Sequence, residues 1–337
     1  AFAALNTALL DQGLVVHVAA DRAPGPLLIR WAFSGSGPAL MNQFRVFVLL
    51  EPGAKLELVE QFESNEATGH ALNVMVQAEL GQASSFSHTR AQSESDRAIV
   101  LTSTQVRQGS SSRYVYRGFD LGGALARHEF DVRLGGEEAS TDLSGAFVLD
   151  GKRHVDNHIS VDHAAPNCSS EQFFRGVLGG RSRGVFNGRA LIRPGADGSS
   201  VRQSNANLLL SDLAEMDTKP ELEIYADEVE ASHGATVGQL DESAVFYLRT
   251  RGLSDSEARR MLTSAFCHAV TDRLDDRELA SRLAAMLDRA MLTAPFDGTV
   301  GLVHVREGEE VLPGQVVLVL GDLSDMRVET TDLDEID

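Results

Sequence analysis

Between residues 27 and 230, hydrophobic positions fall in short runs, many alternating with polar ones, and turn-forming residues separate the runs. LLIRWAF (27–33), FRVFVLL (44–50), KLELVEQF (55–62), ALNVMVQAEL (71–80), AIVLTSTQVRQ (98–108) and LARHEFDVRL (125–134) come first. SGAFVLD (144–150), FFRGVL (173–178), GVFNGRALI (184–192) and PELEIYADEVEA (220–231) follow. Val, Ile, Phe and Thr recur within the runs, and Gly, Asn, Asp or Ser falls between them, which predicts strands. In KLELVEQF the alternation puts Leu56, Leu58 and Glu60 on one side. A stretch this long and this rich in strands fits a pair of sandwiches, a large barrel or a solenoid. No Cys–Trp–Cys pattern suggests immunoglobulin domains, and tight hairpin turns are few, Asp150-Gly151 and Asn187-Gly188 being the main ones. Turns at loosely similar spacing with no internal linker favour a solenoid of stacked coils.

After residue 240 the period changes. SDSEARRMLTSAFCHAVTDRL (254–274) carries apolar residues at 258, 261, 262, 265, 266, 269, 270 and 274, one stripe of an amphipathic helix. Ser254 and Glu257 form a capping box. A shorter helix precedes it, with Asp241 as cap and Gly252 as stop, and a third follows over 276–292 with Leu279, Leu283, Met286, Leu287 and Ala290 on one face. The stripe of 241–274 has two readings, a cover for the open end of the solenoid and a docking face for a partner, and both are expected. Phe246, Tyr247, Leu248 and Arg251, with Leu262 and Phe266 of the next helix, are the docking candidates; aromatic residues and Arg are enriched at interfaces. The last segment, 293–337, is β-like again and strongly acidic. The expected division is a β core over 1–238, helices over 239–292 and a β tail over 293–337.

Candidate chemistry concentrates in HVDNHISVDHAAPNC (154–168). On a strand, His154, Asp156, His158, Ser160 and Asp162 line one face, and Val155, Ile159 and Val161 the other. Such a row can bind a divalent metal, but it is more often the wet face of a half-buried strand. The net charge of −19, from 30 basic and 49 acidic residues, argues against nucleic acid and anionic membrane as partners. No apolar run approaches the roughly 20 residues of a membrane span, and the apolar opening lacks the marks of a signal peptide. Cys168 and Cys267 are far apart and form no CxxC pair, which fits free thiols in the cytoplasm and excludes a four-thiolate site within the chain. Both thiols are expected to be small buried hydrophobes, with Cys168 the better candidate for reactivity. GVLGGRSRGVFNG (176–188) is glycine-rich but lacks GxxxxGK[ST]; its glycines are expected at turns, and nucleotide hydrolysis is not expected of this chain.

The stretch 154–251 resembles the SufB/SufD family of iron–sulfur cluster assembly proteins, its SufD branch in particular, through NLLLSD, KPELEIYADEV, SHGATVGQLD and FYLRTRG. The opening ALNTAL also resembles the start of that family's β core, so the likeness covers about residues 2 to 275. It implies a right-handed parallel β-helix followed by helical segments. It further implies a non-catalytic scaffold that pairs with a SufB-like chain and docks a SufC-like ABC ATPase through its C-terminal helices. A nascent cluster would form transiently at the contact between the paired chains. The family's cluster-related histidine maps to His233; a cysteine that some relatives carry two positions earlier is Ala231 here, so partner thiolates would complete the site. The family's N-terminal helical region is not expected in this chain; because the cluster-related histidine maps to His233, the 154–163 row is expected to be a structural polar ladder.

The tail resembles half of the lipoyl-like domain of membrane-fusion adaptor proteins through APFDGTVG and VREGEEVLPGQVVLVLGDLS. Lipoyl or biotin attachment needs a lysine, and the only lysines are Lys55, Lys152 and Lys219, so neither group is expected. Two rivals follow. A transport adaptor is supported by the tail alone and predicts export. A carbohydrate-active β-helix enzyme would pair Asp156 with Asp162, but strand rise sets them too far apart, and only Phe173 and Phe174 lie nearby as aromatic platforms.

Overall fold

The computed structural model of the chain describes residues 2–10, 12–33, 41–64, 69–291, 299–303 and 318–321. A short helix, α1 (Phe2–Ala8), precedes strands β1 (Gln12–Val18), β2 (Leu27–Phe33), β3 (Met41–Leu50), β4 (Lys55–Ser64), β5 (Ala71–Leu80) and β6 (Ser85–Ser93). Next come β7 (Ile99–Gln108), β8 (Arg113–Asp120), β9 (Leu125–Leu134), β10 (Ser140–Leu149) and β11 (His154–His163). The series ends with β12 (Ser169–Leu178), β13 (Arg183–Ile192), β14 (Ser200–Leu209), β15 (Glu215–Ile224) and β16 (Glu230–Gly238). Odd-numbered strands form one eight-stranded sheet and even-numbered strands another, each in chain order. All these pairings are parallel. The chain is therefore a two-sheet β-solenoid, as the turn spacing predicts.

The repeat lies in the backbone rather than in residue identity. Strands of the first sheet from β3 on begin at residues 41, 71, 99, 125, 154, 183 and 215, 26 to 32 residues apart. At each corner leading from the first sheet to the second, the residue at one equivalent place is left-handed: Asp21, Gly53, Ala83, Ser111, Glu138, Asn167, Gly198 and Glu228, with φ between 52° and 72°; the β13–β14 corner has Gly195 in addition. Only two of the eight are glycine, so composition conceals the period. The corners are stacked by hydrogen bonds: Gly53 donates its N–H to the carbonyl of Gln82, Ala83 to Ser110, Ser111 to Glu137 and Asn167 to Asp197.

Side chains stack in columns along the interior. Val48, Ala78, Val106, Val132, Val161 and Ala190 are register partners down the first sheet and are all buried. On the second sheet the inner face holds aromatic rings that need space. A Cβ on Gly145 would come within 2.5 Å of the Phe174 ring, so glycine makes room for that ring. Gly176, Gly184 and Gly188 likewise sit within strands rather than at turns, against expectation, and Asn187-Gly188 is the middle of β13 and not a hairpin. The predicted run 220–231 is also divided, with Tyr225–Val229 forming the corner between β15 and β16.

Three helices follow: α2 (Glu242–Thr250), α3 (Asp255–Thr271) and α4 (Arg277–Ala290). Asp241 caps α2, the Ser254–Glu257 capping box opens α3, and Gly252 ends α2 with φ 95°. The helices do not close the end of the solenoid. Val270, Leu274, Leu283 and Leu287 pack with Phe119, Ala146, Val148 and Val177 on the outer face of β8, β10 and β12. Phe173 fixes this contact: the guanidinium carbons of Arg175 and Arg273 lie 3.7 and 4.5 Å from its ring centroid. In the tail, β17 (Thr299–Val303) pairs antiparallel with β18 (Leu318–Gly321); the other residues that carry the lipoyl-like resemblance lie outside the described residues.

One interior column contains a histidine. His163 stacks between Leu134 and Ile192, fully buried, with Nε2 2.8 Å from the Ser170 hydroxyl. Burial lowers its pKa from 6.5 to about 4. The folded state thus binds fewer protons than the unfolded state between these values, so His163 stabilises the fold above pH 6.5 and that stability is lost as pH falls towards 4. The loss amounts to about 3 kcal/mol. His163→Leu, measured by urea unfolding across this range, is expected to show a flatter pH dependence than the parent; an identical slope would contradict the assignment.

Candidate functional site

The 154–163 row lies where the alternation puts it. His154, Asp156, His158, Ser160 and Asp162 are on the outer face of β11, while Val155, Ile159 and Val161 are buried inside. The outer row is held by ion pairs: Asp156 with Arg127 and with His158 Nε2, the latter at 2.8 Å, and Asp162 with Arg193 at 2.7 Å. The Arg127 and Arg193 pairs cross from coil to coil, whereas His158 pairs within β11. No group of three or more His, Cys, Asp or Glu able to hold a metal is present among the described residues. Phe173 is covered by the helices and Phe174 packs inside against Phe186, so neither offers a sugar platform. Asp156 and Asp162 are about 20 Å apart along the strand, far wider than a glycosidase pair.

The solenoid interior holds a buried ionisable network that the sequence reading missed. Glu60 accepts from Trp31 Nε1 at 2.9 Å and lies 2.7 Å from His88 Nε2. Arg90 on β6, the register partner of Glu60, donates to both oxygens of Asp120 at 3.1 Å. His128 lies 3.0 Å from Asp120 through Nε2, and its Nδ1 lies 2.6 Å from Arg90 Nη1. Because Nδ1 faces a donor, His128 is the neutral tautomer that carries its proton on Nε2. Its pKa is lowered by burial and then by Arg90. Burial alone would raise the Asp120 pKa, but Arg90 and His128 outweigh it and hold the carboxyl at about 2. Glu60, His88, Arg90, Asp120 and His128 are buried, and Trp31 joins them from β2, the last strand of its sheet. Arg90→Met strands Asp120 and is expected to cost about 3 to 5 kcal/mol in urea unfolding, whereas Arg90→Met with Asp120→Leu recovers much of that loss. Equal losses in the two variants would show that the network is not paired as described.

The two cysteines take no part in a site. Cys267 is buried in the seam under α3, with its thiol pushed up to about 12 by burial. Cys168 is also buried, its Sγ donating to the Gly136 carbonyl at 3.3 Å, and burial raises its pKa too. Both environments favour the unreactive thiol.

Among the described residues both ends of the stack are open: β1 and β2 at one end and β15 and β16 at the other each pair on one side only. The last coil is the end that carries His233. His233 lies within β16. It continues the inward column Leu143–Gln172–Gln203. Gln203 is buried, but His233 is exposed, because no further coil covers it. Ala231, two residues earlier, is half-buried. An imidazole at this place can donate nitrogen to a metal held jointly with another chain.

The docking candidates divide. Phe246 and Tyr247 are 67% and 56% exposed on α2, and Arg251 donates to the Tyr247 hydroxyl at 3.0 Å with its guanidinium 5.1 Å from that ring. Leu248 and Leu262 are half-buried. Phe266 packs onto the solenoid flank beside Arg175, so it anchors α3. The bidentate bond from Arg259 to Glu242, 2.9 Å for each contact, ties α2 to α3. Among the described residues, no helix is long and apolar enough to cross a membrane.

Comparison with known proteins agrees with this architecture. The family model for the SUF system FeS cluster assembly SufBD core domain matches residues 33–266. An iron–sulfur cluster assembly SufBD family protein of Synechocystis is 30% identical over 291 residues, 84% of this chain and 64% of that protein. The iron–sulfur cluster assembly protein SufD of Escherichia coli is 29% identical over 282 residues, 82% of this chain and 67% of that protein. The chloroplastic protein ABCI7 of Arabidopsis thaliana is 31% identical over 239 residues, 70% of this chain and 50% of that protein. The matched segment spans between half and two thirds of these relatives' lengths. A β-solenoid followed by flanking helices and matched over most of its length by one family has a definite place: the chain belongs to the SufBD core family of iron–sulfur cluster assembly proteins.

Proposed function

We propose that the chain is a SufD-like scaffold subunit, not itself an enzyme, which pairs with a SufB-like chain through its last coil and docks a SufC-like ABC ATPase through α2 and α3. The observation that carries this reading is the open coil. Among the described residues β15 and β16 present unpaired backbone edges, a template for another chain, as β1 and β2 do at the other end, and it is at the β15–β16 end that His233 stands exposed. Family membership and the relationship to Escherichia coli SufD support the choice of partners. Residues 1–238 then form the scaffold core, 239–292 the docking segment and 293–337 an appendage; the work is cytoplasmic in this reading.

The nascent cluster is the product being assembled, not a resident cofactor of this chain. His233 would offer one imidazole nitrogen, and the partner would supply thiolates. Two ATPase subunits closing on ATP would draw on α2 and α3, strain the seam between the paired chains and open His233 to iron and sulfide. His233→Ala is expected to lower cluster yield severalfold in an anaerobic co-expressed three-component complex, read by its absorption spectrum, with the melting temperature unchanged. Normal yield would remove His233 from the account.

Phe246 and Tyr247 are the anchors best placed for the ATPase, since both are exposed while Phe266 is engaged. Truncating buried aromatic anchors at interfaces typically costs about 2 kcal/mol or more. Phe246→Ala with Tyr247→Ala is therefore expected to weaken ATPase binding by about thirtyfold in a titration. Unchanged affinity would move the dock away from α2.

A further inference from the structure

Charge changes abruptly at the open end of the solenoid. Residues 179–210 contain five arginines and one acid, Asp197, whereas residues 211–238 contain eight acids and one base, Lys219. The two neighbouring coils therefore have opposite sign. Across them, Arg183 meets Asp217 at 2.6 Å and Arg189 meets Glu223 at 2.6 Å on the outer face of the first sheet. The basic coil is thus matched on one side by the acidic coil.

The acidic coil has no such match on its other side. The outward row of β15 reads Glu215, Asp217, Lys219, Glu221 and Glu223, and among the described residues no strand follows it in the sheet. At the corner, Asp227 and Glu228 add charge beside Glu230 at the start of β16. A strand added to this edge would stand about 5 Å from the row, the ordinary spacing of neighbouring strands. At that distance like charges repel, and opposite charges steer encounter and select among partners.

We infer that the chain pairing with the last coil presents a row of arginine or lysine alongside β15, continuing the alternation of charge from coil to coil, and that two copies of this chain pair poorly through the same edge. The inference rests on the reading of this edge as the SufB-like contact, and it adds what that contact must carry. Self-pairing would bring one acidic coil against another, whereas a basic edge would neutralise it. The backbone edge supplies attachment, and the carboxylate row supplies choice.

The test uses the purified full chain and the SufB-like subunit. Binding of the parent is expected to weaken at least about tenfold as sodium chloride rises from about 50 to about 500 mM, because screening shortens the reach of exposed charges. Glu215→Lys with Glu221→Lys is expected to weaken binding about tenfold at low salt. Glu79→Lys with Asp131→Lys, on strands away from the edge, is expected to change nothing. Should the edge double variant melt early, Glu215→Lys alone serves, since that side chain is 73% exposed. Salt-independent binding with full affinity in the edge variants would overturn the charge inference while leaving the pairing intact.

If the parent does not bind the SufB-like subunit at all, the pairing itself fails. The charge inference is then settled by mixing parent and edge double variant at low salt and sedimenting the mixture. A one-to-one complex that neither protein forms alone supports it. No complex, or a dimer of the parent alone at low salt through β15 and β16, overturns it.

Discussion

Each coil of this protein passes its backbone hydrogen bonds to the next, and the rest of the structure follows from that dependence. Strand edges, corner amides and interior columns are all satisfied by a neighbour of the same shape. Nothing within one coil can close it. A stack built this way must stop somewhere, and where it stops it carries a full set of unused donors and acceptors. At β15 and β16 that unfinished edge coincides with the exposed imidazole of His233. Position within the stack, more than side-chain identity, marks out this place: Gln203 occupies the same column one coil earlier and is buried.

The interior explains which strands show in the sequence. Where the inward row is mainly apolar, as in β3 and β5, alternation reveals the strand at once. β6, β8 and β14 turn His88, Arg90 and Gln92, then Tyr114, Tyr116 and Asp120, then Gln203, Asn205 and Asn207 inward. Their polar rows read as loops because the usual contrast between a wet and a dry face is lost. β1 was missed for the opposite reason, its apolar letters merging with the opening helix. The corner repeat was hidden too, since Asp21, Ala83, Ser111 and Glu138 stand at the left-handed position where glycine would mark it.

The candidate site was only partly legible. The two faces of the 154–163 strand follow directly from alternation, and its acids proved to be ion-paired with Arg127 and Arg193. His233 could not be found from spacing, because 220–231 reads as one strand and conceals the corner before β16. It came from the family resemblance. The stripe of α3 was legible as a stripe, but the surface that receives it depends on Phe119, Val148 and Val177, which lie distant in sequence and whose outward direction follows only once the coil register is known.

The route of the chain after β16 has a mechanical meaning. α3 and α4 double back over β8, β10 and β12, several coils behind the end from which they emerge. In a simple stack, force travels only between adjacent layers. Here the helices act as a brace that skips layers, with the Arg175–Phe173–Arg273 clasp as its rivet. A load placed on α2 is therefore shared between the rim of the stack and its middle, so a tug there tilts the final layer against a stiffened body instead of peeling it away.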